Sequence, residues 1–205
     1  AGDWGQVEFP GKPGVSDAHA MDTCVQFTGL TPQPPVTLSG FSGAPDTVRA
    51  MVRQAQGLRG EKSMLVRSVV ERITAGLQPK DYLGEMLAVR NWVAENVRYV
   101  NDPLHVELVK DPQRLIEEVM AWGKASADCD EIACLIGTMC LQLGRVVEFV
   151  IVGFGERGSY SHVFCRALEP KSNKWLVLDT VAGTGERGML QRVTTYKTWS
   201  LDEAA

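Results

Sequence analysis

Cys129, His162 and Asp179 are the residues on which chemistry can be argued. A thiol, an imidazole and a carboxylate are what nucleophilic catalysis by sulfur needs: an attacking atom, a base to take its proton, and an acid group to orient the base. Cys129 stands in the string Ser126-Ala127-Asp128-Cys129-Asp130-Glu131, just where a strongly periodic helix opens. A thiol in a first helical turn lies near unpaired backbone N–H groups and the positive end of the helix dipole, and both favour thiolate. The neighbouring Asp128 and Asp130 push the other way, so a base must supply the rest of the activation. His162 lies inside a strand-like run, Tyr160–Leu168, and Asp179 lies at the end of the next, Trp175–Thr180. A hairpin turning near Pro170–Asn173 brings the two about level, so that the carboxylate can hold the imidazole's tautomer and its charged form.

The elements that must hold these residues are readable from periodicity. Asp46 is an expected N-cap before Val48, Met51, Val52 and Ala55, with Gly57 as a stop. A second helix runs from about Lys62 to Gly76, and a third from about Asp81 to Val97, with Tyr82, Met86, Val89, Trp92, Val93 and Val97 toward a core. Two Asp-Pro pairs in Arg98–Pro112 mark turns around a short extended piece, and Asp111 caps a helix over Pro112–Met120. The helix opened by Asp128 places Ile132, Leu135, Ile136, Met139 and Leu143 on its apolar side, and Gly144 closes it. Three strand-like runs follow, Val146–Phe154, Tyr160–Leu168 and Trp175–Thr180, with a further edge strand expected at Val193–Tyr196. Helices followed by adjacent strands argue an α+β fold, with the nucleophile-bearing helix on a small antiparallel sheet.

Residues 1–45 differ from the rest. They hold Pro10, Pro13, Pro32, Pro34, Pro35 and Pro45 and show no sustained period, which reads as an extended arm with one short strand at Cys24–Leu30. If ordered, such an arm must dock on its own body or on a neighbouring protein chain; Trp4, Phe9, Phe27 and Phe41 are its candidate anchors. The domain proper is then 46–205.

Composition excludes several classes. The 205 residues are 44% apolar and 22% charged with a net charge of −4, so no nucleic-acid partner is expected. No run of eighteen apolar residues occurs, so no membrane span is expected. Five cysteines without a CxxC pair suggest neither a disulfide framework nor a zinc site, and the acidic residues do not fall in EF-hand spacing. Neither metal nor cofactor is expected. Cys24, Cys134, Cys140 and Cys165 read as small buried hydrophobes, and His19 and His105 as surface residues.

The stretch SADCDEIACLIGTMCLQLGR, then SYSHVF, then KWLVLDT, resembles the transglutaminase-like superfamily, a branch of the papain-like cysteine enzymes. The match covers roughly residues 85–180, and RYVNDPLHVELVKDP resembles the segment before the cysteine in bacterial and phage-type members. Ala127 stands where a Gly is usual and Glu131 where a second Asp is common. The resemblance implies a papain/transglutaminase-like core, with Cys129 as nucleophile, His162 as general base and acid, and Asp179 as orienting carboxylate. It implies an oxyanion hole made from the cysteine's backbone N–H and an upstream side chain, for which Trp122, Tyr99 and Gln113 are open candidates. The implied activity is attack on an amide of a protein or peptide substrate through a thioester, resolved by water (amidase or peptidase) or by an amine (acyl transfer). The alternative is a virion-associated structural or assembly protein, its arm binding neighbouring subunits. Localisation would accordingly be the cytoplasm of a bacterial host, or the virion.

Overall fold

A computed structural model of the chain describes residues 36–39, 44–59, 63–102, 106–155, 160–181 and 192–201. The expected strand at Cys24–Leu30, the four aromatic anchors, His19 and His105 lie outside these residues. Chain order is β1 (Val36–Ser39), α1 (Ala44–Gly57), α2 (Met64–Thr74), α3 (Tyr82–Asn96), β2 (Val97–Tyr99), β3 (Val106–Val109), α4 (Pro112–Trp122), β4 (Ala125–Ala127), α5 (Cys129–Gln142), β5 (Val147–Gly153), β6 (His162–Glu169), β7 (Lys174–Leu178) and β8 (Thr195–Ser200). This is an α+β architecture, as the order of patterns in the sequence predicts.

The helices begin where short polar side chains can satisfy orphan amides. Ser63 Oγ accepts from Val66 N at 3.2 Å, Asp81 Oδ1 from Gly84 N at 3.0 Å, and Asp111 Oδ1 from Gln113 N at 2.8 Å. Asp46 is not a cap: α1 starts at Ala44, which places Asp46 in the first turn, ion-paired to Arg49. The helix α4 runs two residues past its expected end and stops at Gly123, whose φ of +76° is a left-handed cap that glycine adopts without strain.

At the centre lies α5. Every residue from Asp130 to Leu141 is buried. One side packs on β5 and β6 and the other meets α1, α2, α3 and α4, so the helix is enclosed between a sheet and a helical layer. Contact with the sheet is close enough to require Gly137: a Cβ there would stand 2.7 Å from Phe149 Cε1.

The main sheet has the order β7-β6-β5-β8, antiparallel throughout. Its last strand, Thr195–Ser200, overlaps the edge strand expected at Val193–Tyr196 but starts two residues later and ends four later. Two small pairings complete the fold. β1 pairs antiparallel with β3, Val36 opposite Val109, so the described end of the N-terminal arm lies on the chain's own body. β2 pairs in parallel with β4, Tyr99 opposite Ala127.

This topology brings four chain points to one end of the molecule. β5 returns after the short turn that closes α5 and runs back along it; β6 reverses again and so runs with α5. The first residue of α5, the first of β6, and the residue after the last of β7 therefore fall at the same end. They are Cys129, His162 and Asp179. The parallel β2–β4 pair delivers Tyr99 to the same end, beside the two residues that lead into Cys129.

Candidate active site

His162 Nε2 donates to Asp179 Oδ2 at 2.7 Å, a charge-assisted geometry, with 11% and 9% of the two side chains exposed. The carboxylate can only accept, so Nε2 carries the proton and Nδ1 is the nitrogen able to act as a base. Asp179 is held from further directions. Its Oδ1 accepts the Val181 amide at 2.9 Å, and its backbone carbonyl accepts Arg90 Nε at 3.0 Å.

The register that makes this contact differs from the expected one. β6 and β7 pair Cys165 with Leu178 and Glu169 with Lys174, so Asp179 comes opposite Phe164 rather than level with His162. The offset is two residues, which keeps both side chains on one face and leaves them diagonal neighbours within reach. At the other end of the hairpin the Glu169 carboxylate accepts the amides of Lys171 and Ser172, and Asn173 takes a left-handed φ of 54°.

Cys129 is half-buried at the start of α5. Its helix is opened by a full capping box, in which the Asp128 side chain accepts the Glu131 amide and Glu131 Oε2 accepts Asp128 N at 3.1 Å; Asp128 Oδ1 also accepts Asp130 N at 3.2 Å. Glu131 Oε1 also accepts the Lys110 amide at 3.1 Å, tying the chain after β3 to the helix start. The Asp-x-x-Glu spacing carried this signal in the sequence; what it did not show is that both following acids are buried. Burial, then the Asp128 carboxyl, holds Asp130 well above the usual carboxylate range, and burial raises Glu131 to about 7. The opposition to a Cys129 thiolate expected from Asp130 is thereby reduced, because a protonated Asp130 carries no charge.

The three oxyanion candidates occupy different settings. Tyr99 lies within the field of the Cys129 thiol: burial, then Cys129, Asp128, Asp130 and Asp102, push its phenol up, so it stays an O–H donor. That hydroxyl donates to Asn101 Oδ1 at 2.8 Å. Gln113 is 1% exposed and accepts Ser63 Oγ at 3.0 Å, at the contact of α2 with α4. Trp122 is 76% exposed at the end of α4. Three other cysteines, Cys134, Cys140 and Cys165, are buried, and burial raises their thiols, Cys140 to about 12; Cys24 lies outside the described residues. Among the described residues no cluster of three His, Cys, Asp or Glu side chains could hold a metal ion, and no helix is long and apolar enough to cross a membrane. Sequence reasoning missed Arg90, since a lone arginine on a helix belongs to no recognisable motif.

No protein-family model matches the chain, and no curated protein matches it in sequence. Among solved structures the chain is similar to one described as a "putative protease" from Parabacteroides distasonis, at 18% identity and a TM-score of 0.52 over 81% of this chain. The chain spans 30% of that protein's length, and the likeness is one of fold.

Proposed function

We propose that this chain is a cysteine-dependent enzyme acting on amide bonds, a member of the transglutaminase-like superfamily, with Cys129 as nucleophile, His162 as base and acid, and Asp179 as the orienting carboxylate. One observation carries the proposal: the 2.7 Å bond from His162 Nε2 to Asp179 Oδ2, made on the strand that packs against the helix beginning at Cys129. A buried imidazole–carboxylate pair leaves Nδ1 as the basic atom, which is the arrangement a thiol needs for activation. The fold shared with a structure described as a "putative protease" is consistent with peptide-bond chemistry.

In this scheme Nδ1 accepts the Cys129 proton and the thiolate attacks the amide carbonyl carbon. The resulting oxyanion is met by the Cys129 backbone N–H and by the Tyr99 hydroxyl, which would turn from Asn101. Collapse of the tetrahedral intermediate breaks the C–N bond, with the imidazolium giving its proton to the departing amine. Water, deprotonated by the same imidazole, then cleaves the thioester. Hydrolysis is the preferred outcome; an amine in place of water would give acyl transfer.

The test is alkylation by iodoacetamide across pH 5–9, mapped by mass spectrometry on wild type and His162→Ala. Cys129 should label preferentially below pH 7, and that labelling should fall about a hundredfold in the variant, the scale of losing a general base. The buried Cys134, Cys140 and Cys165 serve as internal controls that label only on unfolding. A Cys129 that labels no faster than a free thiol sinks the proposal.

A further inference from the structure

We infer that Arg90 is a positioning residue that sets where the Asp179 carboxylate stands, and that α3 with β2 forms one strut linking that carboxylate to the strand beside Cys129. The inference rests on the triad proposed above.

The need for such a residue follows from the sheet. β7 is an edge strand and its ladder ends at the pair Cys165–Leu178, so Asp179 lies one residue past the last rung. Past the ladder, strand pairing no longer positions the backbone, and a half-buried carbonyl takes a donor from another element. Arg90 supplies it: Nε donates to the Asp179 carbonyl at 3.0 Å, from the middle of α3 and across 89 residues of sequence. The bond acts on the peptide, next to the Cα from which the carboxylate hangs. Oδ2 meanwhile takes the imidazole proton and Oδ1 the Val181 amide. The Val181 bond orients the carboxylate relative to its own backbone, and Arg90 places that backbone relative to the body of the protein.

The helix is suited to the task. Asp81 caps its start, and Met86, Val89 and Val93 anchor one side in the core. It continues without a loop into β2, whose Tyr99 pairs with Ala127, two residues before Cys129. One continuous segment therefore touches the backbone of Asp179 at one point and the strand leading to Cys129 at the other. Sub-ångström placement of a reacting pair governs rate steeply, so removing the Arg90 contact should act on the chemistry more than on the fold.

The experiment compares wild type with Arg90→Met, which keeps the side chain's apolar stem, and Arg90→Lys, which restores a cationic donor. The first readout is the Cys129 alkylation rate at pH 6. The second is solvent exchange of the His162 Nε2 proton by NMR, which reports the His162–Asp179 bond whether or not Cys129 is a nucleophile. Arg90→Met should lower alkylation about tenfold, the scale of one hydrogen bond from a charged donor, and speed the exchange by a similar factor. Arg90→Lys should recover to within about threefold of wild type, because its donor can reach the same carbonyl. Unchanged exchange in a folded Arg90→Met overturns the inference, as does an equal loss in both variants. Should Arg90→Met not fold, Arg90→Leu, which carries no donor, replaces it; failure of both to fold marks a structural strut and also overturns the inference. If wild-type Cys129 is unreactive, the proposed function fails while the exchange readout still decides the role of Arg90.

Discussion

Within α5, the stretch from Ile132 to Leu141 is wholly buried and carries no charge, whereas the turn before it holds a half-buried thiol and two buried carboxyls, one with an oxygen, Asp130 Oδ2, that has no hydrogen-bond partner among the described residues. One helix thus contains a region in which burial is favourable at nearly every position and a region in which it opposes ionisation. The apolar stretch encloses the helix between sheet and helical layer. The polar turn places Cys129 at a fixed point, and it does so at the expense of stability, since buried carboxyls are costly to charge. Helix packing at one end tolerates that expense at the other.

The apolar end should give the largest single loss. Leu135 is fully buried, and Leu135→Ala removes its contacts and leaves a cavity, lowering stability by about 4 kcal/mol. Urea denaturation followed by circular dichroism measures this; a loss under 1 kcal/mol would mean that α5 is not the centre of the core. The polar end should instead show itself through pH. Glu131 has a pKa of about 7 in the folded protein against 4.5 ordinarily. The folded state therefore binds more protons than the unfolded one across that window, and stability falls as pH rises from about 4.5 to about 7. The fall from this group is about 3 kcal/mol at most, from 1.36 kcal/mol per pKa unit. In Glu131→Gln, which cannot titrate, the slope between those pH values should flatten; an equally steep slope would assign it elsewhere.

These two ends were also unequally legible in the sequence. Apolar spacing from Ile132 to Leu143 is enough to draw the helix, and Gly144, at a φ of +70°, marks its close. Likewise Asp111 is a cap where the sequence puts it, and Asp81 and Asp128, read as helix starts, prove to be caps too, because a short acid before an apolar period has a direct local role. What could not be read depends on distant chain. Ala125–Ala127 has neither length nor alternation to mark a strand, and is one only because β2 lies alongside. The hairpin register missed by two residues, since loop length alone does not say where the Glu169 carboxylate will gather the turn amides. Burial of Asp130 and Glu131 was equally hidden: a charge in a sequence looks solvated until the surrounding elements are known. Cys129, His162 and Asp179 were legible by type and order, but the contact from Arg90 to Asp179 joins residues from separate layers and leaves no local trace.

A smaller effect probes the closeness of α5 to the sheet. Gly137→Ala would set a Cβ 2.7 Å from Phe149 Cε1, a contact that must be relieved by moving a packed ring. Overpacking of this kind removes about 2 kcal/mol, and the better helix propensity of alanine returns about 1 kcal/mol. A net loss of about 1 kcal/mol follows, or roughly 3 °C in Tm for a chain of this size. A Tm above wild type would mean that the ring shifts freely and that the helix and sheet are less tightly joined than the geometry has them.

At pH 5 the smallest effect falls on the residue that sets the two ends of α5 apart most clearly. Asp130 is 2% exposed, its Oδ1 accepts the Glu131 amide at 2.8 Å, and its pKa stands well above the usual range, first through burial and then through Asp128. The neutral carboxyl that burial favours at pH 5 is nearly the same shape and charge as an asparagine amide. Asp130→Asn should then leave stability at that pH unchanged within about 0.5 kcal/mol, as for a substitution that removes no contact. At pH 9 the wild type must either ionise a buried carboxyl or hold its proton against the solution, and the variant escapes both. It should be the more stable there, by a margin that grows as pH rises, since a raised carboxyl pKa removes stability with increasing pH. Cys129 alkylation offers the matching chemical measurement. If Asp130 is uncharged at pH 6, the variant should label at the wild-type rate, whereas a several-fold acceleration would show that a negative Asp130 opposes the thiolate after all. Equal stability of the two proteins at pH 9 would mean that water or a neighbouring donor satisfies Asp130 in its charged form, and the polar turn of α5 would then cost the fold less than its burial implies.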